Sequence, residues 1–156
     1  AAMGTLANLD VPERVMALDA FYDRYKDDPL VIDKWFSTQA FSLRADTVAA
    51  VKALAAHRDF TLHNPNRFRS LVGAFSSNQR WFNAADGEGY RVVADQIVAL
   101  DTINPQTAAR MVPPFGKWRR FDDTRAALMK AELERILATP GLSRDVFEQA
   151  SKSLEG

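Results

Sequence analysis

Metal binding or proton transfer in this chain would have to use His57 or His63, because these are its only histidines and it has no cysteine. A helix-borne zinc pair needs two histidines one turn apart with an acid beside them. His57 and His63 lie six residues apart across a predicted helix end, so they do not make that pair. Both read as helix-end or surface histidines, with His57 placed to meet the negative end of the helix before it. Carboxylates adjoin at Asp27-Asp28 and Asp122-Asp123. Sequence neighbours do not share a helix face, and both pairs sit at predicted helix starts, so they read as caps and not as an acid/base pair. Neither Gly73-Ala74-Phe75-Ser76 nor Gly141-Leu142-Ser143-Arg144-Asp145 fits a nucleophile elbow, and Ser143 reads as a helix N-cap. Gly87-Glu88-Gly89 lacks the preceding strand and the third glycine of a dinucleotide loop, where Val92 stands instead.

Two clusters interleave cations with aromatics in the manner of a phosphate-binding surface: Arg67-Phe68-Arg69 and Lys117-Trp118-Arg119-Arg120. Twenty basic and twenty acidic residues cancel, so no overall field favours nucleic acid or an acidic membrane. In the first cluster Phe68 is expected to face the core, flanked by exposed or paired arginines. Nucleic acid is not an expected partner. A membrane is not one either, because no run approaches the roughly 20 apolar residues of a span, and Ala1-Ala2-Met3-Gly4 has no basic or apolar leader region. Absence of cysteine suits a reducing compartment, and cytoplasm is the expected location. A first residue other than methionine points to a piece of a longer polypeptide.

The elements that would position these residues are helical throughout. Phe68, Leu71, Val72 and Phe75 recur at i, i+3, i+4 and i+7, as one buried helix face requires. Similar stripes are Val15, Leu18, Tyr22, Tyr25; Ile32, Trp35, Phe36, Gln39; Val93, Ile97, Leu100; and Met129, Leu133, Ile136, Leu137. No stretch alternates with the period of a strand. The expected helices cover 12–26, 29–42, 46–57, 65–76, 88–101, 105–119 with a break, 123–138 and 143–154. Asp28-Pro29, Asn64-Pro65 and Asn104-Pro105 each set a capping side chain before a proline suited to the first turn. Pro113-Pro114 removes two N–H donors and should end or kink its helix. The polar stretch 85–89 reads as a loop within one domain, residues 1–156. With 47% hydrophobic residues, one ordinary core is within reach.

The second and third of these Asn-Pro caps lie 40 residues apart, a spacing that matches HEAT or armadillo repeats, although two imperfect copies also fit ordinary capping. The expected fold class is all-α: about eight helices stacked as antiparallel pairs in a right-handed superhelix.

Several longer phrases occur in order: Asp33-Lys34-Trp35-Phe36 with Gln39-Ala40; His57-Arg58-Asp59-Phe60; the run from Asn64 to Phe75; Asp86-Gly87-Glu88-Gly89-Tyr90; Asn104-Pro105-Gln106 with Ala109-Arg110; and Arg120-Phe121-Asp122. Together they resemble the C-terminal helical domain of bacterial aminopeptidase N, in the M1 zinc metallopeptidase family. In that family the full-length enzyme removes N-terminal residues from peptides with a zinc held by an HExxH helix and a distant glutamate, and a GAMEN segment grips the peptide amino terminus. None of those motifs is in this sequence. The resemblance therefore implies a non-catalytic domain without a cofactor of its own, the zinc lying in the catalytic domain of the same polypeptide. It also implies a role in capping an internal chamber, with peptides in transit and the catalytic domain as partners.

Within that reading Arg69 and Arg110, each following an Asn-Pro cap, are the candidate substrate-channel residues, where a guanidinium can pair with a carboxylate. A structural hydrogen bond to a neighbouring loop is the competing role for each. Asn64 and Asn104 are the candidate structural caps, worth on the order of 1 kcal/mol each. The face that packs on the catalytic domain would leave apolar area showing in this chain alone. Two alternatives stand beside this reading: a free-standing helical-repeat module that binds a protein, and an enzyme in its own right. The latter would need a cleft of convergent titratable groups that the sequence does not offer.

Overall fold

A computed structural model describes residue 8 and residues 12–155, and the opening tetrapeptide read for a leader lies outside them. Every regular element among the described residues is helical. They pack as two compact units that divide between Trp81 and Phe82, just ahead of the polar turn at 85–89.

The first unit contains α1 (Pro12–Tyr25), α2 (Pro29–Ala40), α3 (Thr47–Ala55) and α4 (Pro65–Phe68). From α4 the chain runs without interruption through a π-helical turn (Arg69–Gly73) into a last α turn, α5 (Ala74–Ser76). A short helix follows, α6 (Gln79–Phe82), whose last residue belongs to the second unit. Asp28 accepts the Val31 N–H at 3.4 Å, and Asn64 accepts from Asn66 and Arg67 at 3.1 and 3.2 Å, so both Pro-opened helices have satisfied first turns. The stripe Phe68, Leu71, Val72, Phe75 is wholly buried, as is Ile32, Trp35, Phe36, Gln39. The α1 stripe is buried only in part: Leu18 and Tyr22 are covered, whereas Val15 is 52% exposed.

Periodicity gave no warning of the π turn. Three hydroxyls compete for helix carbonyls around it: Ser70 donates to Asn66 O at 2.6 Å, Ser76 to Val72 O at 2.9 Å and Ser77 to Gly73 O at 3.4 Å. Such back-bonding loosens a helical ladder, and Gly73 adds the weakest helix former short of proline. Helix α6 was also unexpected. Its signal is Asn78, whose side chain accepts the Trp81 N–H at 3.3 Å and donates to Ala40 O and Ser42 O at 3.0 and 2.9 Å, fixing the end of α2.

The second unit contains α7 (Glu88–Asp101), α8 (Pro105–Arg110), a 3₁₀ helix (Pro113–Arg120), α9 (Asp123–Leu137) and α10 (Arg144–Glu155). Asn104 accepts the Thr107 N–H at 3.1 Å, Asp122 the Arg125 N–H at 3.1 Å and Ser143 the Val146 N–H at 3.2 Å. Helix α8 stops at Arg110, and the chain continues past Pro113-Pro114 in the tighter 3₁₀ form. Gly87 starts α7 at φ +77°, and a Cβ there would lie 3.0 Å from Leu128 Cδ2, so both backbone and neighbour call for glycine. Tyr90, Val93, Ile97, Leu100, Phe115, Met129, Leu133 and Ile136 form the core around which these helices pack.

Candidate functional site

The phrases that carry the family resemblance in the first unit converge on one polar and aromatic knot. Arg67 is 8% exposed. Its Nε donates to Asp33 Oδ1 at 2.5 Å, its Nη1 donates to the Asp59 carbonyl, and its guanidinium lies 5.3 Å from the centre of the Phe36 ring. Tyr22 donates its hydroxyl proton to the Asp59 carboxylate and accepts from Arg58 at 3.2 and 3.3 Å. The hydrogen bond to Asp59 holds the Tyr22 phenol above its ordinary range, helped by burial. Phe68 faces the core flanked by a paired and an exposed arginine, as expected; the fold decides which is which, burying Arg67 as a tie and leaving Arg69 outside.

His57 sits just past α3, yet its ring is not at the surface in the ordinary sense. It packs 5.1 Å from Tyr22, 5.4 Å from Trp35 and 5.8 Å from Phe36, and its Nδ1 accepts the Asp59 N–H at 3.0 Å. That lone pair is therefore committed to the backbone. His63 is exposed. Among the described residues no three His, Asp or Glu side chains group as metal ligands.

Arg69 opens the π turn, exposed, with Nη2 donating to Asn66 Oδ1 at 2.7 Å. It borders an open groove of about 710 Å³ with Leu30, Val31, Lys34 and Ser70. Leu30 is 77% exposed, and Asp33 at the groove's edge is already paired with Arg67. What remains uncommitted there is an apolar floor beside two cations, Lys34 and Arg69, a combination suited to an apolar chain carrying a carboxylate. Arg110 lies at the end of α8 in the second unit, exposed and without a hydrogen bond or ion pair to any described residue. In the carboxylate pairs Asp28 and Asp122 are caps, and Arg125 holds Asp122 below the usual carboxylate range by hydrogen bonding.

The second basic cluster ties the 3₁₀ helix to the end of α10. Trp118 Nε1 donates to Ser153 O at 3.0 Å, Arg119 donates to Leu154 O at 3.0 Å, and the Arg119 guanidinium stacks 4.0 Å from the Trp118 ring centre.

A family model described as "Domain of unknown function (DUF3458_C) ARM repeats" matches residues 1–155. The chain belongs to this family. Among curated relatives, aminopeptidase N of Caulobacter vibrioides is 46% identical over 142 residues, covering 90% of this chain and 16% of the relative. Aminopeptidase N of Escherichia coli K12 is 38% identical over 155 residues, covering 99% of this chain and 18% of the relative. The crystal structure of Legionella pneumophila aminopeptidase A in complex with aspartic acid matches with a TM-score of 0.93 at 38% identity, over 99% of this chain and 18% of that one. This ARM-repeat chain is thus homologous to the C-terminal region of bacterial aminopeptidase N and spans only 16–18% of the length of these relatives. No described helix is long and apolar enough to cross a membrane.

Proposed function

We propose that residues 1–156 form a single terminal domain of a zinc aminopeptidase of the M1 type, acting in the cytoplasm. In this reading the domain walls the chamber above the zinc, which the catalytic domain of the same polypeptide holds, and limits which peptides reach it. The observation that carries this is the near-complete match of this chain to a small terminal share of aminopeptidases, with a TM-score of 0.93 to a solved one. Val15, Met16, Leu30, Phe41 and Leu43, all at least half exposed in the first unit, support a surface that the rest of the polypeptide covers.

The domain's contribution is exclusion and orientation. A closed chamber keeps folded proteins from the metal and admits flexible peptides, and a fixed cation on its wall removes orientational freedom from the substrate before reaction. Arg69, held by Asn66 above the apolar floor at Leu30 and Val31, is suited to grip a peptide carboxylate, and Arg110, with its charge uncommitted, is suited to the same task.

The test combines this chain with a separately expressed catalytic fragment and compares a free peptide with an alanyl chromogenic amide that has no carboxylate. Arg69→Ala should lower kcat/KM on the peptide roughly tenfold, the scale of one lost charge-assisted hydrogen bond. The amide should change little. If this chain neither binds the catalytic fragment nor alters its turnover, the gatekeeping reading fails and an independent protein-binding module replaces it.

A further inference from the structure

Trp118 and Arg119 tie the 3₁₀ helix to α10, but the gatekeeping reading leaves their neighbours Lys117 and Arg120 without a task. In a chain whose charges balance, the stretch between Asp101 and Asp122 carries Arg110, Lys117, Arg119 and Arg120 and no acid. Three of these cations crowd into the 3₁₀ helix.

The form of that helix governs their arrangement. Side chains three residues apart eclipse in a 3₁₀ helix, so Lys117 and Arg120 stand in one column and repel. Arg119 is fixed by the Leu154 carbonyl and by stacking on Trp118, which is itself anchored to Ser153 O. Lys117 and Arg120 are exposed and make no hydrogen bond or ion pair with any described residue. The next acid along the chain, Asp122, is taken by Arg125 at 2.9 Å. Gly116, Lys117, Arg119 and Arg120 bound a pocket of about 230 Å³.

We propose that this pocket is a binding site for a phosphate-class dianion, either free phosphate or a phosphate monoester. Two uncommitted full charges in one column match a doubly charged oxyanion, whereas a single carboxylate would leave one of them uncompensated. Arg119 supplies a third, pre-positioned cation at the rim. The small pocket favours one compact group over a nucleic-acid strand, which needs a basic track extending well beyond a single phosphate.

The experiment follows the backbone amide NMR signals of this chain at about pH 8, where a phosphate monoester is dianionic, during titration with inorganic phosphate, phosphoserine, acetate, and chloride at matched ionic strength. The signals of Gly116 to Arg120 should move saturably with phosphate and stay nearly still with chloride and acetate. The double variant Lys117→Gln/Arg120→Gln, which alters only exposed side chains, should weaken the response roughly tenfold or more, with an unchanged circular dichroism spectrum. Saturation by phosphoserine as well assigns the site to monoesters, and saturation by inorganic phosphate alone assigns it to the free ion. A response equalled by chloride or acetate, or one that survives in the double variant, overturns the proposal.

Discussion

In the first unit the guanidinium of Arg67 spans Asp33, the Asp59 carbonyl and the face of Phe36, and an aromatic cluster of Tyr22, Trp35 and Phe36 closes around His57. In the second unit Phe82, Tyr90 and Phe115 meet edge to face at 5.1 and 5.5 Å, while the ion pairs Arg135–Asp95 and Arg144–Glu148 stay at the exposed rim. One centre is held by a largely buried guanidinium with its partners, the other chiefly by apolar contact, with the buried Asp101 carboxylate tied to Ser143 and the Tyr90 hydroxyl to Asn83. A buried charge is costly to strand but confers little net stability when paired, whereas apolar contact contributes in proportion to area. The first unit should accordingly be the more sensitive to charge and the second to volume.

The largest effects should come from cutting each centre. Phe115→Ala is expected to cost the second unit about 4 kcal/mol through the cavity it leaves. Arg67→Ala is expected to cost the first unit about 3 kcal/mol by stranding Asp33 and the Asp59 carbonyl. Urea unfolding with hydrogen exchange would read both. Arg67→Met sharpens the contrast, since it keeps the stem near Phe36 and removes the charge. If Arg67→Met is as stable as the parent chain, the first unit rests on packing like the second, and the contrast disappears.

Next in size is an alkaline effect. Burial pushes the Tyr90 phenol up to about 12 from an ordinary value of 10.0. Below pH 10 both folded and unfolded chains keep this proton; from there to about 12 only the folded one does. Stability should therefore be full below pH 10 and fall through this window by about 2–3 kcal/mol. Tyr90→Phe should remove that share when urea midpoints are compared from pH 9 to 12. Tyr22 is raised for the other reason, that Asp59 accepts its proton, and Tyr90→Phe leaves its contribution in place. A slope unchanged in Tyr90→Phe would show that the second unit's phenol is not protected by its core.

The smallest expected effect tests where the two units agree. Asn64→Ala and Asn104→Ala should each lower stability by about 1 kcal/mol, read as a shift of the urea midpoint. Asn64 caps two N–H groups and Asn104 one. A clearly larger loss at Asn64 would mean that the cap also positions Arg67, three residues further on.

The sequence by itself determined most of the helices and their starts, though not the π turn or α6, and the stripes at Phe68 to Phe75 and Val93 to Leu100, because periodicity, capping and proline geometry act between residues a few positions apart; the family was legible in the ordered phrases that resemble it. It did not determine which arginine of Arg67-Phe68-Arg69 turns inward. That choice depends on Asp33, 34 residues earlier in the chain, and on the ring of Phe36. The packing of the half-buried His57 against three aromatic rings and the exposure of Val15 beside the covered Leu18 and Tyr22 are of the same kind. The groove at Arg69 likewise exists only once α2 lies against the π turn. Local rules set which faces are apolar and where helices begin, and only long-range packing decides what each face meets.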